Sequence, residues 1–172
     1  LTHLLDYQPL NLYTNYQEAA EKTPTVPIIF DESLPAFPAL GLETTYGESH
    51  QEILKRAYQL AALGVKKGDK IIIYKSPKFD TYLLAVAASY LAAVPVMVSY
   101  HLPFETIEVF VDRLEDPYIL FDDVTAEKVQ AVRNSSANKK LSVASLLEAD
   151  ATEVPQDELT KDEIAYMTHT SG

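Results

Sequence analysis

A chain of 172 residues with 14 basic and 25 acidic side chains, formal charge -11, is long enough for one compact domain with a real core, and its surface as a whole repels a phosphate backbone. Apolar residues at 47% and charged residues at 23% exclude the disordered, collagen-like and fibrous classes. The absence of cysteine removes disulfides, thiolate nucleophiles and Cys-based zinc sites and, with no basic region followed by an apolar run at the N-terminus, makes the cytoplasm the default compartment. The acidity disfavours nucleic acid but not a nucleotide, because backbone amides and a metal ion hold a triphosphate without net positive charge on the protein. The chain opens on Leu1 and closes on Thr170-Ser171-Gly172, and both ends read as cut.

Thr14-Asn15-Tyr16-Gln17 fits a capping box for a first short helix ending near Pro24. Val26 to Phe30 is a β-branched run, and Pro35, Pro38 and Gly41 predict an exposed irregular loop after it. A second capping box, Thr45 to Glu48, opens a helix with Ile53, Leu54, Ala57, Tyr58 and Ala61 on one face and Gly64 at its left-handed cap. Ile71-Ile72-Ile73-Tyr74 is apolar on consecutive residues, which predicts a central parallel strand covered on both faces.

Ser76-Pro77 supplies a helix start, with Phe79, Tyr82, Leu83, Val86 and Tyr90 at helical spacing behind it. Val94 to Val98 is the next strand. The stretch from Thr81 to Tyr100 is broken by Ser89 and Pro95 and reads as helix then strand, not as a membrane span. Pro103 starts a helix with Phe104, Ile107, Phe110, Val111 and Leu114 inward, and Pro117 stops it before the strand Tyr118 to Phe121. Thr125 caps one more helix before a polar turn at Asn134 to Asn138 and a short strand near Leu141 to Val143. Residues 148–163 hold seven carboxylates against one lysine and read as a solvated acidic connection, followed by a last strand, Ile164 to Met167.

Alternating strands and helices of these lengths predict an α/β fold with a doubly wound, mostly parallel sheet flanked by helices, which binds ligands at the carboxyl ends of its strands. The last strand runs into Thr168-His169-Thr170-Ser171-Gly172, where glycine lets a backbone approach an anion and hydroxyls add hydrogen bonds. On those five residues alone the plainer reading is an ordinary polar loop after a strand. His3, His50, His101 and His169 have no metal-ligand spacing, and the glycines never approach a dinucleotide or Walker spacing. His169 stands where a hydrolase elbow needs its first glycine. His101, after the strand at Val94 to Val98, reads as a loop histidine that a complete enzyme could recruit to a substrate.

Four segments, in order along nearly the whole chain, resemble the adenylate-forming, AMP-binding family of acyl-CoA synthetases, luciferases and peptide-synthetase adenylation domains. Thr44-Thr45-Tyr46-Gly47-Glu48 resembles the family's Thr-Tyr motif, and Leu63 to Ile71 its turn into the first core strand. Tyr90 to Pro103 resembles its helix-to-strand segment, with Ala92 and Ala93 where a glycine is common. Tyr166 to Gly172 resembles the front half of its Thr/Ser/Gly-rich phosphate loop.

The resemblance implies an N-terminal fragment, residues 1–172, of an AMP-binding domain cut in that loop and lacking the rest of the same protein. It implies that Thr168, Thr170, Ser171 and Gly172 are nucleotide-phosphate ligands, with no catalytic residue in the fragment, which is expected to be inactive. For the complete enzyme it implies ATP, Mg2+ and a small carboxylic acid as reactants, within fatty acid metabolism, with CoA or a carrier-protein thiol as acceptor. A peptide-synthetase-type adenylation domain and a non-catalytic module keeping the ligase fold are the alternatives. A sheet cut after Met167 would expose an apolar face that the remainder covers.

Overall fold

In the computed structural model, which describes residues 11–169, the first helix, α1 (Leu12–Lys22), starts before the Thr14 box. The Asn11 side chain caps it by accepting the Tyr13 N–H at 2.8 Å and donates to the Ser89 carbonyl at 3.2 Å, so a tertiary contact selects the earlier cap. Strands β1 (Pro27–Ile29) and β2 (Glu43–Thr45) pair antiparallel as a ribbon separate from the main sheet. The segment between them is not the exposed loop its prolines predict, since Leu34, Ala36, Phe37 and Leu40 are buried. Burial is possible because side chains satisfy the backbone: Asp80 accepts the Ala36 N–H at 3.0 Å and Arg56 Nε donates to the Ala36 carbonyl at 2.6 Å.

Helix α2 (Tyr46–Ala62) is capped by Thr45, whose hydroxyl accepts the Glu48 N–H at 3.2 Å. The Glu48 carboxylate takes the Thr44 hydroxyl rather than closing the box on Thr45. At its far end Gly64 has φ +101°, and the bonds Val65 N–H to Leu60 O (3.1 Å) and Gly64 N–H to Ala61 O (3.0 Å) form a Schellman turn.

The chain then enters β3 (Lys70–Ile73), the central strand of a five-stranded parallel sheet. Its neighbours are β4 (Val94–Met97), with Val96 opposite Ile72, and β5 (Tyr118–Phe121), with Ile119 opposite Ile72. Strand β6 (Lys140–Ser142) flanks β5 and β7 (Met167–Thr168) flanks β4, giving the order β6-β5-β3-β4-β7. The consecutive apolar residues of β3 serve two cores. Ile71 and Ile73 pack with Ile53 and Leu60 of α2 and Leu83 of α3 (Asp80–Tyr90). Ile72 and Tyr74 pack with Ile107 and Val111 of α4 (Phe104–Leu114) and Val129 of α5 (Ala126–Ala131). Each fully buried isoleucine contributes about 1.5–3 kcal/mol relative to an exposed one, which fixes the doubly wound arrangement.

Three boundaries differ from the sequence reading. Ser76 does not cap α3, which begins at Asp80, because the Ser76 amide and hydroxyl are both bonded to Asp122. The strand near Leu141 ends at Ser142, whose hydroxyl accepts the Ser145 N–H at 3.0 Å and opens α6 (Val143–Glu148). The last strand is Met167–Thr168, not Ile164 to Met167; Ile164 and Tyr166 are exposed.

Residues 149–166 form no helix or strand and lie as a strap across the domain, tied to α3 by bonds from Tyr90 Oη to the Val154 carbonyl (2.7 Å) and from the Asp157 N–H to the Tyr90 carbonyl (3.1 Å). Among the described residues no helix is long and apolar enough to cross a membrane.

Candidate functional site

All five strands of the main sheet point one way, so the loops that follow them gather along one edge. The chain leaves β3 for α3 on one face and leaves the adjacent β4 for α4 on the other, the switch point at which an open parallel sheet places its ligand crevice. Strand β7 lies parallel beside β4 with Thr168 opposite Met97, so Thr168 and His169 leave the sheet on this same edge. Thr168 is exposed there. The other three sequence candidates, Thr170, Ser171 and Gly172, lie outside the described residues. Beside β7, Val96, Val98, Phe110, Arg113, Leu114 and Met167 line an apolar cavity of about 210 Å3, with the His169 ring 5.7 Å from that of Phe110.

The loop after β4 is held from several sides. Lys128 Nζ, on α5, donates to the Tyr100 carbonyl at 2.9 Å and the Leu102 carbonyl at 3.4 Å. The Tyr74 hydroxyl donates to the same Leu102 carbonyl, and burial pushes its pKa up, which keeps it protonated for that role. The His101 N–H reaches Ser99 Oγ at 3.3 Å, and the His101 ring lies 3.9 Å from that of Tyr100, exposed at the rim of the crevice.

Under the loops that follow β3 and β5 lies a buried ionic cluster. Lys75, two residues after β3, is fully buried; its ammonium lies 2.5 Å from Asp80 Oδ1 and 3.8 Å from Asp122 Oδ2. Asp122 accepts the amide and hydroxyl of Ser76 and the Val124 N–H at 3.1 Å. Thr125 Oγ1 donates to the Tyr74 carbonyl at 2.5 Å, so the turns after β3 and β5 are bonded to each other. Reading the chain alone did not find this cluster. The one signal was a lysine set directly against Ile71-Ile72-Ile73-Tyr74, a place where a charge is unwelcome unless paired.

Among the described residues no three histidines or carboxylates gather as a metal cage. A magnesium ion in a nucleotide site is held largely by phosphates and water with one or two carboxylates, so the described residues alone do not define where it would sit.

The model of the AMP-binding enzyme family matches residues 16–172. The chain belongs to the AMP-binding enzyme family. A curated relative, 3-amino-2-hydroxy-4-methoxybenzoate diazotase of Streptomyces cremeus, is 33% identical over 64% of this chain and 20% of its own length. An uncharacterized acyl-CoA ligase of Bacillus subtilis is 27% identical over 74% of this chain and 26% of its own. The chain therefore spans about a fifth to a quarter of the curated relatives it matches.

Among solved structures, a long-chain-fatty-acid-CoA ligase of Archaeoglobus fulgidus superposes with TM-score 0.78 over 98% of this chain and 36% of its own, at 17% identity. A Mycobacterium tuberculosis fatty acyl CoA synthetase superposes with TM-score 0.72 over 94% of this chain and 32% of its own, at 19% identity. At these identities the superpositions establish the fold: the five-stranded parallel sheet and its helices match the N-terminal domains of adenylate-forming enzymes.

Proposed function

We propose that this chain is the front part of the AMP-binding domain of an ATP-dependent carboxylate-activating ligase, residues 1–172, reaching into its phosphate loop. The observation that carries the reading is the placement of β7: a family member's strand, parallel to β4, delivers Thr168 and His169 to the carboxyl edge beside the crevice. In this proposal a carboxylate attacks the α-phosphate of ATP, giving an acyl-adenylate and releasing pyrophosphate, and a thiol then takes the acyl group, with CoA as the acceptor. Thr168, together with Thr170, Ser171 and Gly172 beyond the described residues, would hold the β- and γ-phosphates with backbone amides and hydroxyls and stabilise the charge on the departing pyrophosphate. Mg2+, when bound, would add positive charge against the phosphates that these residues hold. The isolated chain, which holds half of that grip, would be inactive.

The test is carboxylate-dependent exchange of labelled pyrophosphate into ATP by the complete protein. Aryl acids come first, because the Streptomyces cremeus relative is a diazotase named for an aminobenzoate, followed by fatty and amino acids. Exchange with one acid class, abolished by Thr170→Ala with Ser171→Ala, is expected. Absence of exchange with all three classes refutes the reading, and exchange without CoA-dependent thioester formation selects the peptide-synthetase-type alternative.

A further inference from the structure

The opposite edge of the sheet holds a second concavity. At the amino ends of β3 and β4 a cavity of about 470 Å3 opens under the strap, within the range of small-molecule sites. Its walls are apolar, from Ala92 and Val94 on the sheet side and Leu159 and Ile164 on the strap side, and its polar groups are Lys67, Lys70 and Glu163. Lys67 is already committed, with Nζ 3.2 Å from Glu163 Oε2 and 2.7 Å from the Glu158 carbonyl, so it clasps the strap over the opening. Lys70 is half-buried and, among the described residues, has neither an ion pair nor a side-chain hydrogen bond. In a chain of charge -11 this is an inverted spot: two ammonium groups against one carboxylate leave the cavity lining at net positive charge.

An apolar chamber with one uncommitted cation at its wall suits a ligand of one chemistry. We infer that this cavity binds a small amphipathic carboxylate, its hydrocarbon part between Ala92, Val94, Leu159 and Ile164 and its carboxylate on Lys70. The carboxylate supplies the charged partner that Lys70 lacks, and a charge-assisted hydrogen bond in a partly dry cavity is stronger than one in water. The tail removes apolar surface from water on both the sheet and the strap. Neutral and cationic molecules with the same tail gain only the second contribution. Because the strap runs on into β7, an occupant would also brace residues 157–164.

Octanoate is the probe, titrated calorimetrically into the 172-residue chain, with 1-octanol and octylamine as tail-matched controls and amide hydrogen exchange to locate the contact. Saturable octanoate binding is expected, with both controls at least about tenfold weaker and slower exchange concentrated in residues 157–164. Lys70→Glu should weaken octanoate at least about tenfold, and Leu159→Trp should block it by filling the chamber. Lys55→Glu, the same charge change on an exposed part of α2, should leave it within about twofold. No binding, equal binding of 1-octanol, protection confined to the carboxyl edge, or loss through Lys55→Glu as large as through Lys70→Glu would each overturn the assignment. None of these readouts involves ATP, so failure here leaves the proposed adenylation untouched, and failure of pyrophosphate exchange leaves this site untouched.

Discussion

Replacing Lys75 with methionine tests whether the loops after β3 and β5 are held electrostatically. Lys75 and Asp80 are both fully buried and Asp122 nearly so, and the ammonium is the only cation within 4 Å of either carboxylate among the described residues. Methionine keeps the volume of the lysine stem and removes the charge. Asp122 would retain the Ser76 amide, the Ser76 hydroxyl and the Val124 N–H, whereas Asp80 would retain only the Ala36 N–H. The cost therefore falls mainly on Asp80. Breaking a buried pair by removing one partner costs about 3–5 kcal/mol, and with a urea slope of about 1–3 kcal/mol/M the unfolding midpoint should drop by roughly 1–5 M. Adding Asp80→Asn removes the stranded charge while keeping an acceptor for Ala36, so the double variant should recover about half of the loss. Urea titrations followed by circular dichroism measure all three proteins. A loss under about 1 kcal/mol in Lys75→Met, or a double variant less stable than the single, would refute the account.

The bonds Ala93 N–H to Ala88 O (3.2 Å) and Ala92 N–H to Ser89 O (3.0 Å) make a second Schellman turn, after α3, and the two turns should differ in their response to substitution. Gly64→Ala places a Cβ 3.1 Å from Tyr118 Oη at φ +101° and should cost about 1–2 kcal/mol or more in thermal unfolding. Ala92 holds the equivalent position after α3 at φ 52°, so Ala92→Gly removes left-handed strain but also a buried methyl and adds unfolded-state entropy, and should change stability by less than about 0.5 kcal/mol. A pH prediction rests on His50, whose Nε2 lies 2.9 Å from the Tyr13 hydroxyl. Burial lowers the His50 pKa against the opposing pull of Glu21, and burial, with Tyr58 and Glu21, pushes Tyr13 up to about 12. Tyr13 thus donates to a neutral imidazole. Because the folded pKa is the lower one, the contribution is complete above about 6.5 and is lost as pH falls from there toward the folded value. His50→Gln, which keeps an acceptor for Tyr13, should flatten the fall in stability between about pH 7 and 5; an unchanged slope would show that His50 does not titrate with unfolding.

The parts of the fold that hydrophobic pattern controls were legible in the chain. Ile71-Ile72-Ile73 announces a strand buried on two faces, and Thr45 with Gly64 brackets α2 as the capping rules require. Ala92 stands where the family commonly has glycine, and the structure gives the reason for glycine there, a positive φ. Two of the differences share one cause, competition for a polar group by a partner distant in sequence. Ser76 has the chemistry of a cap but is taken by Asp122, 46 residues on. Pro35 to Gly41 has the composition of an exposed loop but is drawn inward by Asp80 and Arg56 acting on the two sides of Ala36. Tyr166 and Ile164 have strand propensity, yet the register against β4 begins only at Met167. Local propensity contains none of these partners.

The same competition distinguishes the two edges of the sheet. At the amino edge the turns are made by backbone geometry, with Gly64, Gly68 and Ala92 at positive φ and no buried ion pair among the described residues. At the carboxyl edge side chains cross between loops: Lys75 joins Asp80 to Asp122, Thr125 holds the Tyr74 carbonyl, and Lys128 with Tyr74 holds the loop carrying His101. A buried charge cluster is a poor way to gain stability, because an apolar replacement is often as good, so its placement calls for another reason. Fixing loop positions in advance is such a reason, since a site that must hold a triphosphate in line for attack loses rate with small displacements of its walls. These bonds tie the loops after β3, β4 and β5 to one another along the edge where Thr168 leaves the sheet.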